Sequence, residues 1–278
     1  KSELKWRGGA YTYSPAVDKL VRHPRILDAV EDVLGPDILV FWATYFIKEP
    51  GTPAHTAWHQ DATYFGLDPL EHVTAWVALQ DATREAGCME VVSNRGQHHQ
   101  YHHAAAHLPN SINGAGQVIV EPIDTRETAF MELKAGEMSL HHTMCLHRSA
   151  PNNAPYRRIG LGISYVPAHI RPTCPTRMSA LLVRGQDKYH HFDHLVPPFA
   201  SSGSNGLSTV ATTGEYFPGN AKYGAGSYGL GVRVPMLVDK RKGPFRLTPM
   251  TLSKSSSLTS LSDGYNGDIP ALLTNTST

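Results

Sequence analysis

The chain has 278 residues, of which 41% are hydrophobic and 18% charged, a balance that excludes a wholly disordered protein. Twenty-five Lys and Arg against 24 Asp and Glu leave a formal charge of +1; without a dense basic block, nucleic acid is not expected as the main partner. No apolar run approaches the roughly 20 residues of a membrane helix, so no membrane partner is expected. Cys88, Cys145 and Cys174 are widely spaced and form no CxxC pair, which points to a reducing cytoplasm.

In chain order, Ser14–Gly35 reads as helix. Ser14 caps it, Pro15 opens the first turn, apolar residues recur at helical spacing and Gly35-Pro36 stops it. His23-Pro24 is expected to split it in two. Short β-rich runs follow at Ile38–Lys48, Val73–Leu79, Cys88–Val92, Gln117–Val120, Met138–His142 and Arg158–Val166, separated by turn residues. The βαβ alternation of a parallel sheet is missing, as are phosphate-binding glycine motifs. The expected fold is mainly β with flanking helices, an antiparallel jelly roll. The stretch from Ala200 to Gly231 is dense in Gly, Ser and Thr, and Ser253–Ser262 is nearly low-complexity. A single domain over residues 1–235, carrying lid-like loops, and a tail over 236–278 are therefore expected.

Histidine is over-represented, with 16 copies. The segment Trp58-His59-Gln60-Asp61 is the informative one: in an extended strand, i and i+2 share a face, so His59 and Asp61 would present an imidazole beside a carboxylate. That is two thirds of a 2-His-1-carboxylate metal site. A third ligand is offered by His147, in Leu146-His147-Arg148-Ser149. The following Pro151-Asn152-Asn153 reads as the apex of an antiparallel hairpin, which would set His147 opposite Arg158 and Ser149 opposite Tyr156, with Arg157 pointing away. An arginine there suits a carboxylate-bearing cosubstrate, held by two parallel hydrogen bonds.

With these residues the chain resembles the phytanoyl-CoA dioxygenase family of Fe(II)- and 2-oxoglutarate-dependent oxygenases. His59 and Asp61 match its proximal motif. His147, Ser149 and Arg158 match the distal one, and Thr74–Thr83 is similar to its Trp-x-Ala-Leu strand. Glu85-Ala86-Gly87 stands where the family usually has Glu-Asn-Gly. The resemblance implies a double-stranded β-helix and an iron held by His59, Asp61 and His147. It also implies 2-oxoglutarate bound through Arg158 and Ser149, with Trp76 in the same pocket. The implied reaction consumes O2, releases succinate and CO2, and hydroxylates a small-molecule substrate. Desaturation, cyclisation or epimerisation by the same chemistry is the alternative outcome, and a non-enzymatic jelly-roll binding protein with a vestigial site is the alternative class. Halogenases resembling these enzymes have a small residue in place of the carboxylate, so Asp61 points to transfer of oxygen.

Other constellations compete less well. His98, His99, His102 and His103 sit at spacings that would pair on a helix for zinc, but no HExxH accompanies them. No GxSxG occurs. Cys145 reads as a buried structural thiol, and Trp42, Trp58, Tyr64, Phe65 and Trp76 as core aromatics, with a place in a cavity wall as the alternative for Tyr64-Phe65. Gln97–His107 and the region after Ala200 are expected to flank substrate entry.

Overall fold

The computed structural model describes residues 6–93, 98–106, 108–113, 117–175 and 177–196. The chain runs β1 (Trp6–Gly8), α1 (Pro15–Val21), α2 (Pro24–Leu34), β2 (Ile38–Lys48), β3 (Thr56–His59), α3 (Ala62–Phe65), β4 (Leu67–Asp68), β5 (Val73–Ala78) and β6 (Met89–Val92). It continues through β7 (His103–Ala105), β8 (Gln117–Ile119), β9 (Thr128–Met131), β10 (Met138–His142), β11 (His147–Ser149), β12 (Arg158–Pro167), β13 (Arg171–Pro172), β14 (Ser179–Arg184) and β15 (Asp193–His194). The expected tail, and the Gly/Ser-rich region after Ala200, lie outside the described residues.

The helical segment breaks where expected. Ser14 caps α1, and His23 caps α2 with Pro24 in its first turn, since a proline is tolerated only where its missing N–H has no helical partner. The strand runs are recovered within a residue or two. Among the strands not expected from the sequence are β9 and β14, short segments whose apolar character is diluted by Thr or Ser, while β3 carries the Trp58-His59 part of the stretch expected to be extended.

Two sheets form the jelly roll. The larger has the order β10-β5-β12-β2-β14-β15, with β1 also paired to β2. The smaller has the order β3-β11-β6-β9. Strand alternation divides the larger sheet cleanly. Val73, Ala75 and Val77 of β5 and Ile159, Leu161 and Ile163 of β12 face outward and pack under Leu20, Val21, Ile26 and Val30 of the two helices. Each fully buried Val, Leu or Ile here contributes about 1.5–3 kcal/mol, and the Tyr165 hydroxyl donates to the Val21 carbonyl at 2.9 Å, tying sheet to helix. The alternate residues Thr74 and Trp76 of β5, Arg158 and Gly160 of β12, and Ser139 and His141 of β10 face the interior between the sheets. Gly160 is glycine for a local reason: a Cβ there would lie 2.0 Å from the Trp76 ring.

The expected hairpin at Asn152-Asn153 is not formed. β11 pairs with β3 and β6 in the smaller sheet, whereas β12 pairs with β2 and β5 in the larger. Residues 150–157 therefore cross between sheets. Pro151 and Pro155 lack the N–H a ladder needs, and the buried Asn152 organises the crossover by donating to the carbonyls of Lys48 and Tyr156 at 3.0 and 2.8 Å. Gly87, at φ +69°, supports it from the side, because any Cβ would meet the Ala150 carbonyl at 2.3 Å. The Glu85-Ala86-Gly87 turn thus holds the crossover in place.

Candidate active site

His59 ends β3, and the chain turns immediately. Asp61 has helical φ and ψ of −60° and −34° and precedes α3. The two side chains do converge, but through this turn and not through strand alternation, which corrects the extended His-x-Asp expected above. His147 opens β11 and stands in register with His59 across the ladder. The ring centroids of the two histidines lie 4.0 Å apart. Asp61 Oδ1 lies 3.9 Å from His59 Nε2 and 3.7 Å from His147 Nε2. Donors on one face of an ion, each about 2.1 Å from it, are separated by roughly 3 Å or a little more, so this trio could hold a divalent metal. Among the described residues it is the group of His, Cys, Asp and Glu that meets this geometry.

The surroundings orient each donor. His59 Nδ1 faces the Ala57 carbonyl at 2.8 Å, and His147 Nδ1 faces the Cys145 carbonyl at 3.0 Å. A carbonyl accepts only from N–H, so both rings carry the proton on Nδ1 and leave the Nε2 lone pair for a metal. Burial pushes both imidazoles below their usual range, His147 well below it, and so favours the neutral form that ligates. Burial alone would raise the Asp61 carboxyl. The hydrogen bond from His141 is the largest effect opposing it and, with the His147, His141 and His59 rings gathered around the carboxylate, holds Asp61 well below the usual carboxylate range. Asp61 Oδ2 accepts from Thr74 Oγ1 at 2.9 Å and from His141 Nε2 at 3.2 Å, which leaves Oδ1 for the metal.

Arg158 lies in the larger sheet, across the ladder from Lys48 and not from His147. It is 2% exposed, its guanidinium carbon stands 5.3 Å from the Trp76 ring centroid, and its Nε has no partner. Ser149 Oγ accepts from Lys48 Nζ at 2.7 Å and lies 2.9 Å from Thr56 Oγ1. Arg157 turns outward as expected and pairs with Glu49 at 2.9 Å. A buried guanidinium with an unpaired N–H, stacked on an indole, has the donor chemistry to receive a carboxylate.

The His-rich loop is not a helix, so the zinc pairing fails. His103 lies in β7 and is used structurally: its Nε2 accepts from the Gln60 amide at 3.1 Å. The Gln60 side chain, fully buried, donates to the carbonyls of His99 and Met144 and accepts from the Tyr101 amide. It thereby fastens the loop beside Asp61. Tyr64 packs edge-on to His59 at 5.8 Å, and Phe65 lies 5.2 Å from His72, which is buried with both ring nitrogens unpartnered. Cys145 is fully buried, and burial pushes its thiol up. Sequence reasoning missed Lys48, Thr74, His141, Gln60 and His72. Thr74 and His141 were legible in part, since the parity of β5 and β10 places both on the interior face. Lys48 was not, because a lysine ending an apolar strand reads as a solvated edge.

Comparison with known proteins adds the following. The model of the phytanoyl-CoA dioxygenase family matches residues 6–160. ThoJ, a structure described as a non-heme monooxygenase, is 34% identical, with a TM-score of 0.61 over 70% of this chain and 71% of its own. Its nickel complex is 31% identical, with a TM-score of 0.56 over 70% of this chain and 69% of its own. The 1-deoxypentalenic acid 11-beta-hydroxylase of Streptomyces arenae is 26% identical over 216 residues, 70% of this chain and 67% of that protein. A 56% identity to the non-hemolytic phospholipase C of Burkholderia pseudomallei is confined to 61 residues, 22% of this chain and 9% of that protein. The chain spans about half the length of several curated relatives it matches.

Proposed function

Because the chain belongs to the phytanoyl-CoA dioxygenase family, we propose that it is an Fe(II)- and 2-oxoglutarate-dependent oxygenase that hydroxylates a small-molecule substrate. The observation that carries this reading is the interior pairing of two sites. One is the His59, Asp61 and His147 trio with every donor oriented. The other is the buried Arg158, which lacks a carboxylate partner among the described residues. A vestigial site gives no reason to keep both.

In this reading His59 Nε2, His147 Nε2 and Asp61 Oδ1 would hold the iron, and Arg158 would hold the distal carboxylate of 2-oxoglutarate, assisted by Ser149 and walled by Trp76. When bound, the metal and cosubstrate supply O2 activation coupled to decarboxylation, giving succinate and CO2. The chain's own part is to fix tautomers, keep Asp61 ionised and exclude water. A carboxylate from Asp61 at the third protein position supports transfer of oxygen over chlorine. The unpartnered atoms of His72, Ser139 and Thr143 give the interior hydrogen-bonding capacity toward substrate.

Small molecule and O2 are the partners in this reading, with no nucleic acid or membrane involved. No described helix is long and apolar enough to cross a membrane. The cytoplasm is the compartment proposed, supported by three cysteines without a pairing motif.

The test is anaerobic loading with Fe(II), addition of 2-oxoglutarate and O2 in excess chloride, and measurement of succinate. Succinate formation, lost in Asp61→Ala and His147→Ala, is expected. No succinate from the unmutated protein, even with candidate substrates supplied, would overturn the oxygenase reading. A chlorinated product would overturn the role given to Asp61.

A further inference from the structure

Lys48 closes β2 and faces Arg158 across the ladder. A lysine at a strand end ordinarily snorkels, laying its stem on apolar surface and its ammonium in water. This one is 0% exposed. Its Nζ donates to Ser149 Oγ at 2.7 Å and also to the Ala150 carbonyl. An ammonium carries three hydrogens, so one remains. Arg158 beside it also has an unpaired donor, Nε. Among the described residues neither cation has a carboxylate partner, and the charge that acts most on Lys48 is Arg158 itself.

Two buried like charges without a counter-ion are tolerated only if one sheds its proton or an anion joins them. Burial and the Arg158 charge together lower the Lys48 ammonium to about 6. The other titratable group facing it is Cys88, whose thiol burial raises to about 12 and so keeps neutral. The groups around Lys48 from β3 and β11, Thr56 and Ser149, do not ionise. Near pH 7.5 the amine is therefore mostly neutral without an anion, while the guanidinium stays charged.

We infer that Lys48 is a second ligand for the carboxylate that Arg158 holds, so that the pocket is a two-cation clamp with Lys48 positioned by Ser149. The inference rests on the cosubstrate reading above. Docking the carboxylate favours the charged form of Lys48, so binding should draw a proton from solvent at pH 7.5. That uptake should vanish near pH 5, where Lys48 already carries its proton. Affinity should weaken as pH rises, because the amine must be charged at growing cost.

The experiment is calorimetric titration of the Fe(II)-loaded protein with 2-oxoglutarate under anaerobic conditions, in two buffers of different ionisation enthalpy. The unmutated protein should take up a large fraction of a proton at pH 7.5. Lys48→Met should bind at least tenfold more weakly without uptake. Lys48→Arg, permanently charged, should bind within a few-fold of the original, also without uptake. A Lys48→Met protein that melts normally and binds within twofold would overturn the inference, as would uptake persisting in Lys48→Arg. The latter decides the question alone if the Met variant fails to fold. Should Arg158→Leu lose affinity while Lys48→Met keeps it, the cosubstrate reading stands and the clamp falls. An unmutated protein that does not bind 2-oxoglutarate at all would remove both.

Discussion

The imidazole of His141 lies 3.2 Å from Asp61 Oδ2, and this contact decides which oxygen of Asp61 faces the two candidate ligand histidines. Thr74 shares that oxygen at 2.9 Å, so Oδ1 is left with His59 and His147. Outer partners of this kind typically contribute 10–100-fold to metal affinity. His141→Ala should weaken Fe(II) binding by about that factor, measured by chelator competition, and His141→Gln, which keeps a donor, should recover part of it. Equal affinity in all three proteins would show that Asp61 needs no such support.

Acid should destabilise the fold through its buried imidazoles. Burial lowers His72 from the ordinary 6.5 to about 4. Between those values the unfolded chain binds a proton that the folded chain does not, so stability rises with pH there. This contribution is complete above about pH 6.5 and is lost as pH falls toward 4. For His72 alone it is on the order of 3 kcal/mol. His142, also lowered, to about 2, acts in the same direction. The melting temperature should drop steeply from pH 7 to pH 4.5, and His72→Phe, which packs on Phe65 without titrating, should flatten the slope. An unchanged slope in that variant would remove His72 from the account.

Gly160→Ala tests the Trp76 wall. The added methyl cannot be placed without moving the indole, 2.0 Å away, and overpacking of this sort costs about 1–3 kcal/mol. Because Trp76 stacks on Arg158, the expected signature is a lower Tm together with a raised KM for 2-oxoglutarate. A lower Tm with KM unchanged would separate the indole from the cosubstrate pocket.

Gln60→Leu removes three hydrogen bonds made by one fully buried side chain. The stranded carbonyls and amide should cost about 2–5 kcal/mol in all, a fall in Tm on the order of 10 °C for a chain of this size. Since Gln60 separates His59 from Asp61, weaker metal binding should accompany it. Retention of both properties would mean that the His-rich loop is held by other contacts.

Much of this protein was legible from sequence because it is written in local terms. Cap and proline chemistry placed the break between α1 and α2, and β2 and β10 follow their apolar runs residue for residue. The candidate ligand types were legible too, since His59 and Asp61 stand two residues apart, His147 sits in its own short motif with Ser149, and few chemistries need that trio. The tertiary structure decided how they meet. Asp61 arrives through a helical turn, and the prolines of residues 150–157 send the chain to the other sheet, so that Arg158 pairs with Lys48 instead of His147. Sheet partnership depends on which distant strands bury each other's faces, and no short-range pattern encodes that. The same holds for Lys48, Thr74 and His141. Their side chains meet the site only because the strands bearing them fold over a buried interior, where an unpaired charge or donor becomes costly enough to require a partner.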